Sequence, residues 1–253
     1  MPIQSQASSV APLWQENDLR DPHHLADKAG RVRRMFDNIA PTYERVNTLM
    51  SLGRDRAWRA RAVAMTGITA ADMVLDVACG TGDFARAFAA AGAKLVVGAD
   101  FAKGMLELAA RRSTAGLQWC LADALRLPFP GESFTVASCA FGVRNFQSLD
   151  AGLREMHRIL RPGGRAMILE FSQPRLPGFR ALYEWYSNKI MPAVATWISH
   201  DDTGAYRYLP SSVRAFVDEA GMEAALRGAG FATVRRRRMT LGVVCAYLAV
   251  KMA

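Results

Sequence analysis

The segment Val74-Leu-Asp-Val-Ala-Cys-Gly-Thr-Gly-Asp-Phe84 runs from an apolar stretch through a glycine turn into an alanine-rich stretch. That order, strand then turn then helix start, is where open α/β sheets bind their ligands. Gly80 and Gly82 are expected to let the backbone pass close to a bound molecule, with Asp76 on the strand before them. The G-x-G-x-x-G dinucleotide pattern is absent, and Asp83 at the helix start has the wrong sign for a pyrophosphate. A cofactor carrying an amino group and a sulfonium suits the segment better. Asp100 closes the next apolar run, where its carboxylate can accept hydrogen bonds from two ribose hydroxyls. Asp123, in Ala122-Asp-Ala124 after the third run, is placed to receive an adenine amino group. One glycine turn is weak evidence. Acidic positions at three consecutive strand ends, in this order, are strong.

These residues need a sheet to hold them, and the hydrophobic pattern supplies one. Strands are predicted over Met73–Ala78, Leu95–Asp100, Leu117–Leu121, Phe134–Ala140 and Arg165–Phe171, with helices between them over Asp83–Ala91, Lys103–Arg112 and Ala151–Leu160. This alternation implies βαβ units and a mostly parallel, doubly wound sheet covered on both faces. Two final strands, Phe231–Arg238 and Val243–Lys251, follow a helix over Glu219–Gly228 and are expected to close the sheet as an antiparallel pair, making seven strands. Residues 1–26 read as a flexible lead. Residues 27–253 read as one domain: a helical cover over 27–66, broken near Pro41 and Gly53, a cofactor-binding core over 73–172, an aromatic-rich helical insertion over 174–210, and the closing elements over 219–251.

Composition sets bounds. The 253 residues are 51% hydrophobic and 22% charged, as in ordinary soluble domains. No apolar run approaches the length of a membrane span, and the first residues lack the pattern of a secretory signal, so a cytoplasmic protein is expected. Cys79, Cys120, Cys139 and Cys245 are scattered without metal-ligand or dithiol spacing; no metal is expected. The net charge of +9 resides mostly in arginine clusters (Arg31, Arg33 and Arg34; Arg54 to Arg61; Arg235 to Arg238). It leaves an anionic membrane surface or nucleic acid open as partners. With no appended RNA-binding module and no basic stripe interleaved with aromatics, nucleic acid is not expected. A homo-oligomer is compatible with everything above.

From about Val32 to Lys251 the chain resembles the UbiE family, the C-methyltransferases of ubiquinone and menaquinone biosynthesis. The resemblance is carried by Phe36-Asp-Asn-Ile-Ala-Pro-Thr-Tyr43, Asn47-Thr-Leu-Met-Ser-Leu-Gly53, Trp58, Asp76 to Asp83, Phe141-Gly-Val-Arg-Asn145, Leu160-Arg-Pro-Gly-Gly-Arg165, Leu169-Glu-Phe-Ser172, Tyr206-Arg-Tyr-Leu209 and Leu241-Gly-Val-Val244. It implies the Rossmann-like fold of class I methyltransferases, S-adenosylmethionine as methyl donor, and a prenylated quinol as acceptor. It also implies cofactor contacts at Thr81, Asp100, Asp123 and Ala124. Arg144 and Asn145 would be catalytic: Arg144 orienting a water or stabilising a phenolate, Asn145 positioning the ring. Tyr43 and Asn47 would lie on a helix covering the cofactor, Tyr43 among the catalytic groups and Asn47 toward substrate, and Tyr206 and Tyr208 would line the ring.

The chain departs from the family pattern at Glu44, Asp55 and Ala140, where Asp, His and Ser are usual. A soluble phenolic acceptor therefore stays open beside the quinol, whose demethylmenaquinol form is favoured by the lack of a transit segment. His200 is a candidate base and His157 a structural residue. A polyprenyl acceptor would keep the enzyme at a membrane surface. The arginine clusters would draw it to anionic head groups, and apolar residues between Phe179 and Trp197 would receive the tail.

Overall fold

The computed structural model describes residues 13–114, 116–191, 194 and 203–253. Seven strands form one sheet in the order β3-β2-β1-β4-β5-β7-β6. They are β1 (Met73–Val77), β2 (Leu95–Asp100), β3 (Leu117–Leu121), β4 (Phe134–Ala140), β5 (Leu160–Phe171), β6 (Phe231–Met239) and β7 (Val244–Lys251). β1 to β5 pair in parallel, whereas β7 is antiparallel to both β5 and β6. The strand order turns at β1, which pairs with β2 on one side and β4 on the other. The crevice beyond the ends of β1, β2, β3 and β4 is therefore where such a sheet takes a ligand.

Both faces are covered, so strand side chains alternate between two cores. Leu75, Val77, Val97, Ala137 and Cys139 meet α5 (Leu149–Ile159) and α8 (Glu219–Gly228) through Leu153, Met156, Met222 and Leu226. Val74, Val96, Val136 and Met167 meet α2 (Arg54–Thr66) and α3 (Asp83–Ala90) through Trp58, Ala62, Phe84 and Phe88. Ser148 and Asp218 cap α5 and α8 by accepting from backbone N–H groups. β5 begins at Leu160, earlier than its apolar pattern suggests, because Leu160 pairs with Phe134 across a bulge.

Two expectations at the N-terminal end are corrected. Pro41 does not break the first helix: α1 runs unbroken over Lys28–Met50. Pro41 lies exposed while Ile39, Ala40 and Val46 are buried, and that burial outweighs one lost backbone hydrogen bond. The lead before residue 27 is not a loose segment from Leu13 onward. Trp14 is fully buried and its ring stacks on Tyr208 at 4.1 Å, in a third core with Val32, Met35 and Met105. The short run Val10-Ala-Pro-Leu-Trp14 has neither a helical nor a strand period from which to foresee this. Trp14→Ala should cost about 3–5 kcal/mol, read as the shift in a denaturant-unfolding midpoint.

Among its described residues the insertion is largely helical. α6 (Pro177–Trp185) continues as a π-helical stretch, Tyr186–Ile190, and α7 (Ala205–Ala215) follows, with α4 (Lys103–Arg111) packing near α1 on the other side of the crevice. His200 and Trp197 lie outside the described residues.

Candidate active site

A cleft with about 650 Å³ of non-atom space, its open mouth included, lies over the ends of β1 to β4. Gly80, Asp100, Asp123, Ala124, Tyr43 and Asn145 all line it, so six of the residues expected from sequence converge there. Asp100 is the best held of them. Its Oδ2 accepts the Gly80 N–H at 2.7 Å and its Oδ1 accepts the Ala102 N–H at 2.8 Å. Burial pushes its carboxyl up to about 6 despite those donors. Asp123 is more open, and its Oδ1 accepts the Leu125 N–H at 2.9 Å. Gly80 has φ +56° with open space where a Cβ would stand, as a close approach of backbone to ligand requires.

The lining tests which cofactor fits. Two carboxylates face the cleft, together with aromatic Phe36, Phe101 and Phe146, and none of its lining residues is Lys, Arg or His. That donor set suits an adenine, a ribose diol and a cationic amino-acid end, and it offers nothing to a phosphate.

Four residues expected at the site stand behind it. Asp76 is fully buried at mid-strand, opposite Gly98 and Ser138, on the sheet face that meets α3. Its Oδ1 accepts the Ser138 hydroxyl at 2.7 Å, whereas Oδ2 has no hydrogen-bond partner among the described residues, and burial raises the carboxyl to about 7. Thr81 is buried and lines no part of the cleft. Gly82 serves packing, because a Cβ there would lie 2.3 Å from the Trp119 ring. Tyr208, expected toward substrate, is buried beneath Trp14, and its hydroxyl donates to Asn145 Oδ1 at 2.9 Å. It orients the amide that faces the cleft, which links Trp14, Tyr208 and Asn145 in one chain of contacts.

Asp76 has a pH signature. A carboxyl raised in the fold binds more protons than in the unfolded chain between about pH 4 and 7, so its contribution to stability falls as pH rises through that window. Comparing Asp76→Asn with wild type by denaturant unfolding at pH 5 and pH 8 should show the variant gaining about 2–3 kcal/mol, relative to wild type, at the higher pH.

A second, largely apolar cavity, with about 1230 Å³ of non-atom space including its open mouth, shares the walls Tyr43 and Phe141 with the cleft. Asn47, Arg144 and Tyr206 line it, as do Met50, Tyr183 and Met191 from the cover and the insertion. Arg144 is nearly fully buried. Its Nη1 donates to the Phe141 carbonyl at 2.6 Å and to Glu170 Oε1 at 2.7 Å, and its Nε reaches Ser212 Oγ at 3.3 Å. Burial opposes its charge, but the Glu170 carboxylate, ion-paired with it, holds the guanidinium above its usual range. Glu170 was not singled out from sequence. The signal for it was a lone ionisable residue in the otherwise apolar run Ala166-Met-Ile-Leu-Glu-Phe171. Lys28 was also missed: it is buried, donates to the Phe146 carbonyl, contacts His23 Nδ1 at 3.2 Å, and burial lowers it to about 8. Nothing in its exposed-looking sequence context marks it as buried. His157 is edge-on to Phe231 at 5.0 Å, a packing contact.

A seven-stranded sheet of this order, with an acidic, phosphate-excluding cleft over β1, β2 and β3, defines a class I S-adenosylmethionine-dependent methyltransferase. Solved structures carry the same fold at low identity. The protein bound to the Trm112 methyltransferase activator of Haloferax volcanii superposes with a TM-score of 0.64 at 18% identity, over 86% of this chain and 98% of that one. A Haemonchus contortus phosphoethanolamine N-methyltransferase 2 in complex with S-adenosyl-L-methionine gives 0.58 at 16%, over 77% and 52%. The chain belongs to the ubiE/COQ5 methyltransferase family, whose model matches residues 24–251. It is 40% identical to a demethylmenaquinone methyltransferase of Clavibacter sepedonicus, over 90% of this chain and 94% of that one. It is 42% identical to one of Deinococcus radiodurans (86% and 91%) and 39% identical to the ubiquinone/menaquinone biosynthesis C-methyltransferase UbiE of Geotalea uraniireducens (90% and 99%).

Proposed function

We propose that this chain methylates a ring carbon of a prenylated quinol, demethylmenaquinol in the first instance and the ubiquinone-pathway benzoquinol as a second acceptor. The observation that carries this reading is the apolar cavity abutting the cofactor cleft at Tyr43 and Phe141, with a buried arginine in its wall. An acceptor of that shape is a flat ring with a hydrocarbon tail.

S-adenosylmethionine, when bound, supplies an electrophilic methyl group on its sulfonium. Asp100 would hold the ribose hydroxyls, Asp123 the adenine amino group, and Gly80 and Ala124 the backbone surface on which they rest. A quinol carbon becomes nucleophilic once a ring hydroxyl gives up its proton. Arg144 is permanently cationic and accepts nothing, so it would stabilise the phenolate as it forms, with water taking the proton. Glu170 keeps that guanidinium fixed. Asn145, set by Tyr208, and Tyr43, whose burial raises its phenol and keeps it a neutral donor, would orient the ring. Asn47 and Tyr206 would bound it. The mutual fixing of these groups is what makes the geometry productive.

The tail of such an acceptor resides in a bilayer, which supports a peripheral protein at the cytoplasmic face of the membrane. No helix among the described residues is long and apolar enough to cross one. Four members of the arginine clusters are held in ion pairs, whereas Arg33, Arg34, Arg54, Arg56, Arg61, Arg235 and Arg237 are exposed without an ion pair among the described residues. Arg31 pairs with Asp18 and Asp27, Arg59 with Asp55, and Arg236 and Arg238 with Glu219.

The test is incubation of the purified chain with methyl-labelled S-adenosylmethionine and chemically reduced demethylmenaquinone, with label followed into the quinone by mass spectrometry. A labelled methyl group bonded to a ring carbon is expected. Equal transfer to an unprenylated soluble phenol would overturn the assignment of a prenylated acceptor.

A further inference from the structure

α6 is unusual for a helix in a folded domain: none of its residues is buried. Its inner side lines the apolar cavity through Tyr183 and Glu184, and Ser187 and Met191 continue that lining in the turns beyond. Its outer side turns Leu182 and Trp185 to solvent, and Leu176 just before it and Ile190 just beyond it are exposed as well. A helix with one apolar side outward and no partner among the described residues is the pattern of an element that rests in a membrane interface. Tryptophan is a side chain favoured at that level of a bilayer.

Two turns beside α6 show the same feature independently. Leu52 is 75% exposed at φ +52°, and Leu241 is 60% exposed at φ +54°. A bulky side chain in the left-handed region is strained, and one facing water gains nothing from packing to offset it. Asparagine or glycine would relieve both positions. Both turns border the same cavity: Leu52 follows Ser51, Leu241 stands two residues before Val243, and Ser51 and Val243 line it. The Tyr186 hydroxyl donates to the Met50 carbonyl, and the Trp58 Nε1 to Thr240 Oγ1, fixing both turns to the cavity walls.

Charge completes the surface. An open cleft beside the cavity, with about 1430 Å³ of non-atom space including its mouth and sharing Pro210 and Arg214 with it, is lined among the described residues by Arg20, Lys189, Arg207 and Arg214 against one acid, Glu16. Arg54 is exposed next to the Leu52 turn. Exposed Gln173 and Arg214 mark where the cavity meets solvent.

We propose that this face, made of α6, the Leu52 and Leu241 turns and the Arg20–Lys189–Arg207–Arg214 cleft, docks on an anionic phospholipid bilayer. Leu52, Trp185 and Leu241 enter the boundary between head groups and acyl chains, and the basic cleft meets lipid phosphates. Docked this way, the cavity opens directly toward the lipid. The proposal rests on the prenylated-quinol reading and adds to it the surface through which such an acceptor arrives.

The experiment uses the full chain and its triple variant Leu52→Asn, Trp185→Ser, Leu241→Asn. Binding is read by sedimentation with phosphatidylcholine vesicles, with and without phosphatidylglycerol. Wild type is expected to bind the anionic vesicles preferentially and less at high salt. The triple variant is expected to bind at least about tenfold more weakly, because three apolar insertions are lost. Its melting temperature should be unchanged or higher, and its methylation of an unprenylated demethylnaphthoquinol unchanged. Wild-type affinity in the triple variant, or no vesicle binding by wild type, overturns the proposal. So does a wild-type dimer in analytical ultracentrifugation that the three substitutions dissolve, which would assign the face to a second copy of the chain. If vesicle binding behaves as expected but no quinol is methylated, the acceptor reading fails and the lipid surface stands.

Discussion

Arg144→Met will unfold more easily than wild type by about 3–5 kcal/mol and will lose about 100- to 1,000-fold in methyl transfer. The stability loss follows from what is left behind. Glu170 is almost completely buried, its carboxyl is already raised by burial, and Arg144 is its ion-pair partner. Removing the guanidinium strands a carboxylate in an apolar wall, and also strips a donor from the Phe141 carbonyl. The rate loss follows from the guanidinium facing the cavity where a phenolate would form. The two effects separate in the double variant Arg144→Met with Glu170→Met, because replacing both members of a buried pair by apolar groups is close to neutral. Denaturant unfolding should show the double variant recovering most of the lost stability, while initial rates stay as low as in the single variant. Recovery of rate together with stability would mean that Arg144 only props up the wall.

Asp100→Asn will weaken S-adenosylmethionine binding by about 3–4 kcal/mol, or 100- to 1,000-fold in Kd, measured by calorimetry or equilibrium dialysis. Both carboxylate oxygens already accept backbone N–H groups, from Gly80 and Ala102, and each has a further lone pair for a ribose hydroxyl. An amide turns one of these acceptors into a donor facing an N–H group, so the glycine turn and the ribose are both disturbed. The wild type carries a pH dependence from the same carboxyl. Burial places it at about 6, and only the ionised form accepts from two hydroxyls. Affinity should therefore hold above pH 6 and fall below it, by up to about tenfold per pH unit. In Asp100→Asn this pH dependence should vanish. Wild-type affinity that is flat from pH 5 to 8 would remove Asp100 from the cofactor site.

Much of this site is local in the chain. Gly80, Asp123 and Ala124 sit just beyond the end of a strand and Asp100 is the last residue of one, and strand ends are read from hydrophobic runs and the turns that stop them. β2 and β3 fall within their predicted bounds residue for residue. Asp76 shows where that reading stops. It belongs to the same motif, yet side-chain alternation along β1 puts it on the face of Val74, against α3, and not at the cleft. Trp119 shows it again: the ring sits over Gly82 and Gly98, so a glycine that looked made for a ligand is made for a tryptophan.

The sequence by itself determined the alternation of strands and helices, the antiparallel closing pair, and the acidic chemistry of the cofactor cleft. Each of these depends on periodicity or on neighbours a few residues away. Only the tertiary structure decided which groups support the reacting ones. Arg144 and Glu170 stand 26 residues apart, Trp14 and Tyr208 far further, and Pro41 is kept in a helix by burial of its neighbours. Such contacts are chosen by burial, which leaves charged and aromatic side chains few partners once water is excluded, and burial is a property of the packed chain as a whole.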